Sequence, residues 1–301
     1  MELWIPITIF AAFTQNIRSS LQKYLKGRLS TTGATFARFV YAAPLALLYL
    51  AGLVVFAGYE LPTPSSAFAL YAMTGALAQI LATAFLVHIF SFRNFVVGTT
   101  FSKTETAQAA IFSVILLGEA ITTGATVGIF ISLIGVVMIS MTRVSLNFRD
   151  IVRQCLELPA LYGVASGSLF AISAVTYRAA SLSLSGEDFL IKAAYTLAFL
   201  TVFQTLVMMV YMSVREPGQI KAVITTWRVS GLVGLTGMLG SVGWITAMTL
   251  QNAAYVRALG QIELVFTFAA SYLAFRERLS RSEFVGILFV VAGIFVLIAA
   301  Q

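Results

Sequence analysis

Two charged residues, Lys103 and Glu105, interrupt an apolar run that extends from Phe95 to Gly118. A charge deep in a membrane-crossing helix costs about 2.5–3.5 kcal/mol on insertion scales, so each needs a partner, a wet cavity or a use. Residues two apart point to different faces of a helix, so Lys103 and Glu105 do not neutralise each other. Arg38, inside another apolar run, is the expected partner of Glu105, and Lys192 that of Glu263. That assignment leaves Lys103 as an unpaired cation, because the residue matching it later in the chain, Gln261, is neutral. An unpaired buried cation is the chemistry of an anion site: Lys103, with Arg18 or Arg38, would attract a carboxylate or phosphate. Tyr41 and Tyr195 are placed to stack on an aromatic ligand. The plainer reading is a set of structural ion pairs, with Arg18, Arg178, His88 and Arg93 reaching the membrane surface along their stems.

The elements that position these residues follow from composition. Of 301 residues, 59% are hydrophobic and 10% charged, with mean hydropathy +0.92. A soluble domain carries about 25% charged residues, so lipid must cover this surface. Crossing the hydrocarbon takes about 20 apolar residues. Ten runs qualify, at about 3–22, 33–57, 66–90, 96–118, 124–142, 159–180, 188–212, 229–250, 256–275 and 283–300. The chain also repeats itself. Leu116–Ile139 lines up with Leu273–Leu297, and an offset of 158 carries Asn94 onto Asn252, Glu105 onto Glu263, Glu119 onto Glu277 and Gly135 onto Gly293. The expected organisation is an all-α membrane protein with five spans in 1–142, a connector at 143–158 and five spans in 159–301. Five is odd, so the two units would have opposite topology. Duplicated bundles of this kind build alternating access around a midplane site.

Charge sets the orientation. Thirteen Lys and Arg residues, from Lys23 to Arg281, fall in connectors after odd-numbered spans, whereas the other connectors and both termini hold essentially none. The positive-inside rule then puts both termini outside. The formal charge of +7 is dispersed among these connectors and gives no nucleic-acid patch. With Cys155 the only cysteine and His88 the only histidine, neither a disulfide nor a zinc or haem set is expected. No cofactor, phosphate-binding loop or nucleophile–base pair is apparent, so an enzyme is not expected. The N-terminus reads as the first span rather than a signal peptide.

Three features bear on gating. Pro44 removes a backbone donor from the second span and should kink it near Arg38. Glycines at 231, 234, 237, 240 and 243 thin the eighth span on several sides; Gly237 is the central one. Glu119 and Glu277 fall at span ends, where they would close a turn or lock a gate.

LLGE (Leu116–Glu119) before a Gly-containing apolar helix, with a second copy around Glu277, resembles the EamA-type repeat of the drug/metabolite transporter superfamily. The resemblance covers nearly the whole chain. It implies ten helices in two inverted five-helix repeats around a central cavity, multi-pass in a cell (inner) membrane. It also implies movement of small solutes, among them amino acids, nucleotide sugars, phosphorylated sugars and drugs, often outward. The expected function is therefore secondary transport of a small metabolite such as an amino acid or organic anion, with Glu105 and Glu263 as candidates for proton coupling. A channel and a non-transporting receptor or scaffold are the alternatives. Two departures stand out: Glu105 and Glu263 lack the proline that often follows in the family, and the charge count opposes the cytoplasmic termini common there.

Overall fold

Side-chain caps and glycine stops divide the apolar sequence into helices. Ser30, Ser65, Asp188, Asn252 and Ser280 each accept a hydrogen bond from a backbone N–H of the helix that follows. This satisfies donors the helix itself leaves open. Ser280 and Glu283 form a reciprocal capping box. Gly118 closes a helix in the left-handed region, at φ +65°.

In a computed structural model, residues 2–92, 95–141, 157–268 and 280–300 are described. The helices are α1 (Trp4–Leu25), α2 (Thr31–Ala57), α3 (Ser66–Ile89), α4 (Phe95–Ser102), α5 (Glu105–Leu117) and α6 (Thr123–Met141), followed by α7 (Leu158–Leu182), α8 (Phe189–Arg215), α9 (Pro217–Thr225), α10 (Trp227–Leu250), α11 (Ala253–Gly260) and α12 (Arg281–Ala299). No strand occurs among the described residues. Six helices, α2, α3, α7, α8, α10 and α12, are long and apolar enough to cross a membrane, and α6 is a shorter apolar helix. The protein is all-α and multi-pass.

Two runs expected to be continuous are interrupted. Around Lys103–Thr104 and around Gln261–Ile262 the backbone tightens to i→i−3 bonds, from Lys103 N to Thr100 O (3.0 Å) and from Ile262 N to Leu259 O (3.0 Å). Helix then resumes at Glu105 and over 263–268. Hydroxyls compete for the backbone at the first break, where Ser102 Oγ donates to Thr99 O and Thr104 Oγ1 to Phe101 O. On the α7 side, Gly163 and Gly167 let that helix lie directly on the backbone of α4 and of the break.

The main packing pairs are α6 with α12, α3 with α7, α1 with α10, α2 with α8 and α10, and α7 with α4 and α5, while α11 packs on α5 and α1. Exchanging α3 with α10 and α7 with α1, as the repeat pairs them, turns the α3–α7 contact into α10–α1. The α6–α12 seam has the same property. A Cβ on Gly135 would meet Gly286 O at 2.5 Å, and one on Gly128 would meet Gly293 O at 2.7 Å. The two helices therefore cross antiparallel, backbone on backbone, as small residues permit in lipid. The α10 glycines serve two neighbours: Gly234 faces Tyr41 on α2, and Gly240 and Gly243 face α1. α2 runs unbroken through Pro44, whose ring is on an exposed face rather than toward the interior.

Candidate functional site

The two helix breaks meet at the centre of the bundle, and charges from each pair with the other half. Lys103 Nζ forms an ion pair with Glu263, and Arg257 Nε opposes Glu105 Oε1 at 2.9 Å without the alignment of a hydrogen bond. These contacts replace the pairing expected from the sequence. Lys103 is compensated, Glu105 is held by Arg257 rather than Arg38, and Lys192, one turn into α8, takes part in neither pair. Glu105 and Glu263 each open a resumed helix, where the positive end of the peptide dipoles favours a carboxylate. Gln15 bridges the set: its Nε2 donates to Glu263 Oε2 (2.9 Å) and its Oε1 accepts from Trp244 Nε1 (3.0 Å). The Arg257 guanidinium lies 4.7 Å from the Trp244 ring centre, a cation–π arrangement. Gln261 donates to Thr106 Oγ1 across the two breaks (2.7 Å).

Arg18 and Arg38 are the central cations without an ion-pair contact. Both are buried, 3% and 4% exposed, and among the described residues neither forms an ion pair. Arg18 was expected to reach the membrane surface; instead its Nε is buried without a hydrogen-bond partner. Arg38 donates to Thr83 Oγ1 (2.8 Å). Gly237 lies between them: a Cβ there would be 3.3 Å from Arg38 Cγ and 3.6 Å from Arg18 Cδ. Four cations, Arg18, Arg38, Lys103 and Arg257, thus face two carboxylates.

Empty space adjoins these groups on two sides of a partition. A vestibule of about 250 Å³ runs from Lys103, Glu105 and Arg18 to Lys23 in the last turn of α1 and Phe90 at the end of α3. Deeper in, a chamber of about 20 Å³, room for roughly one water, is lined by Arg38, Gln79, Tyr177 and Gln204. Gln15, Phe170 and Arg257 line both spaces. In the chamber, Tyr177 Oη donates to Gln79 Oε1 (2.9 Å), as does Gln204 Nε2 (2.9 Å).

The opposite end of the bundle is tied shut. Glu119 Oε1 accepts from Arg178 Nε (2.7 Å) and its Oε2 from Asn252 Nδ2 (2.7 Å). Arg178 Nη1 also donates to the carbonyls of Met248 (2.6 Å) and Gln251 (2.8 Å) at the end of α10. Thr63 N donates to Ser185 Oγ (2.7 Å), and Thr122 Oγ1 to Ala300 O (2.9 Å). Arg178, expected to snorkel, is part of this latch.

The remaining expected residues are dispersed. Tyr41 packs on Gly234 with its hydroxyl toward Val223 O, 3.4 Å away. Tyr195 packs against Phe68 and borders a groove with Leu47 and Phe199, outside both central spaces. His88 stacks edgewise on Phe92 and Tyr162. Glu277, Arg93 and Cys155 lie outside the described residues. Residues 158–299 match the EamA-like transporter family. The second half of the chain is thus similar to the EamA-like transporters. A solved structure titled only "Crystal structure of protein" superposes on this chain with TM-score 0.73, over 99% of it and 98% of the other chain, at 15% identity. That likeness concerns the fold alone. No curated protein matches. The family match, together with the apolar helices, suggests a membrane transporter of small molecules.

Proposed function

We propose that the protein is a secondary transporter of a small organic anion, with ten spans arranged as two inverted five-helix repeats. In this reading α4–α5 and α11 with 263–268 are the interrupted fourth and ninth spans, and 1–142 and 159–301 are the repeating units. The self-matching α6–α12 seam and the matched helix breaks support the inversion, because a two-fold axis in the membrane plane produces both.

The observation that carries the anion reading is the pair Arg18 and Arg38. Two buried guanidinium groups without an ion-pair contact, among four cations and two carboxylates, are unfavourable in a membrane interior unless a further counter-charge arrives. Guanidinium forks recognise carboxylate and phosphate through paired hydrogen bonds. The cargo reaches them through the vestibule, which opens at the end bearing Lys23. By the positive-inside rule that end is cytoplasmic in an inner membrane, and the conformer is one that loads from inside for export. Reorientation breaks the Glu119–Arg178–Asn252 latch and closes the vestibule, with one five-helix unit rocking against the other. Glu105 and Glu263 are the groups available to exchange protons during that step.

Uptake into proteoliposomes tests this reading. Saturable flux of labelled organic anions, competed by other anions and not by neutral amides of the same size, is expected. Flux that does not saturate would indicate a pore, and binding without flux a receptor.

A further inference from the structure

Arg18 borders the vestibule and Arg38 the chamber, while Gln15, Phe170 and Arg257 stand between the two spaces. The cationic surplus is therefore divided between two compartments. Each compartment also differs in size and in the groups that accompany its arginine. The vestibule offers about 250 Å³ and is bordered by Ser19 beside Arg18. The chamber, about 20 Å³, holds roughly one water, so a carboxylate enters it only as the lining side chains part.

The polar groups of the chamber suit a carboxylate end group. Arg38 gives one donor to Thr83, which leaves most of its fork free. Gln79 accepts from both Tyr177 and Gln204 through Oε1, which turns its amide N–H groups to other use. Gln79 Nε2 and the remaining Arg38 nitrogens make no hydrogen bond among the described residues, yet they are not sealed from solvent-sized space as Arg18 Nε is. They face open space.

We infer that the cargo carries two acidic groups, a carboxylate seated on Arg38 and Gln79 in the chamber and a second acid on Arg18 in the vestibule. The inference rests on the anion-carrier reading and narrows its substrate class to dianions. Four cations against two carboxylates leave a surplus that one dianion cancels. The linking carbons pass the partition beside Phe170, where Gln15 and Arg257 must part. The second acid is a carboxylate or a phosphoryl group; the vestibule has room for either.

Binding to the purified full-length protein in detergent tests this with four sets of probes. They are the straight-chain dicarboxylates of three to six carbons, their monomethyl esters, their diamides, and 3-phosphonopropionate. At least one dicarboxylate, or the phosphonate, should bind tenfold or more tightly than the matching half-ester, and the diamides should not bind. Arg38→Gln should reduce that preference to less than threefold, and Arg38→Lys should restore part of it. If Arg38→Gln does not fold, Gln79→Leu is the substitute and should lower the preference at least threefold. Half-esters binding as tightly as the diacids, with diamides silent, would overturn the two-acid inference and leave the anion reading intact. Binding of diamides as tight as that of diacids would overturn both, as would no binding by any probe.

Discussion

Glu263→Gln leaves Lys103 buried beside a neutral amide, and the size of that effect measures how the two halves are joined. Two unit charges about 4 Å apart interact by about 4 kcal/mol at an effective dielectric of 20. The vestibule wets this pair, since the Lys103 side chain is 25% exposed and that of Glu263 11%. A coupling of about 1–3 kcal/mol remains, below the 3–5 kcal/mol for breaking a fully buried pair. Gln retains an acceptor for Gln15 Nε2, so the substitution removes charge more than shape. Glu263→Gln and Lys103→Met should each lower the thermal midpoint in detergent by about 2–12 °C, taking 2–4 °C per kcal/mol. The double variant should fall by about as much as one alone. Arg38→Met combined with Glu105→Gln should be additive to within about 0.5 kcal/mol, because no contact links those residues. Additive losses for Lys103 and Glu263, or strong coupling of Arg38 to Glu105, would refute the crossed pairing and restore the sequence-based one.

Further outcomes follow from other contacts. Gly135→Ala and Gly286→Ala should destabilise by similar amounts, about 1–3 kcal/mol each, since each new methyl meets the other glycine's carbonyl at 2.5 and 2.8 Å; a large cost at only one site, seen by thermal unfolding, would contradict the two-fold relation. Gly237→Leu should abolish anion binding by displacing the stems of Arg18 and Arg38, and unchanged affinity would show that the arginines act separately. Glu119→Gln weakens the latch, so a cysteine placed at Ser241 should react at least threefold faster with a membrane-impermeant reagent added from the terminus side; an unchanged rate would leave the latch without a gating role. Glu105→Gln or Glu263→Gln should remove the pH dependence of flux while exchange persists, and a retained pH profile would exclude that residue from proton coupling.

The repeat and the charged interruptions were legible because lipid makes both unusual. Polar residues in apolar runs stand out, and an offset shared by Glu105, Glu119 and Gly135 marks the equivalent helices. The partners were not legible, because pairing depends on which helix faces enclose the cavity. Arg257 lies near the beginning of its apolar run and reads as an interfacial residue, yet the break at Gln261 carries α11 inward and buries it. The breaks themselves have a faint signature in SKTET and GQIE, where hydroxyls and Gly260 weaken the helix without a proline. Gln15, Gln79, Gln204 and Tyr177 escaped notice since uncharged polar residues are common in membrane helices and only their convergence on one chamber sets them apart. Tyr41 and Tyr195 occupy similar positions in the two halves, but symmetry says nothing about facing inward.

The α6–α12 crossing offers a fixed reference for following the motion of everything else. With carbonyls and α-carbons in direct apposition at two glycine pairs, neither helix slides along its neighbour without collision. Spin labels or fluorophores on the lipid-facing side of this pair should keep a constant separation throughout turnover. Distances measured from that pair to the Arg178 end, and to the Lys23 end, would then report each opening independently.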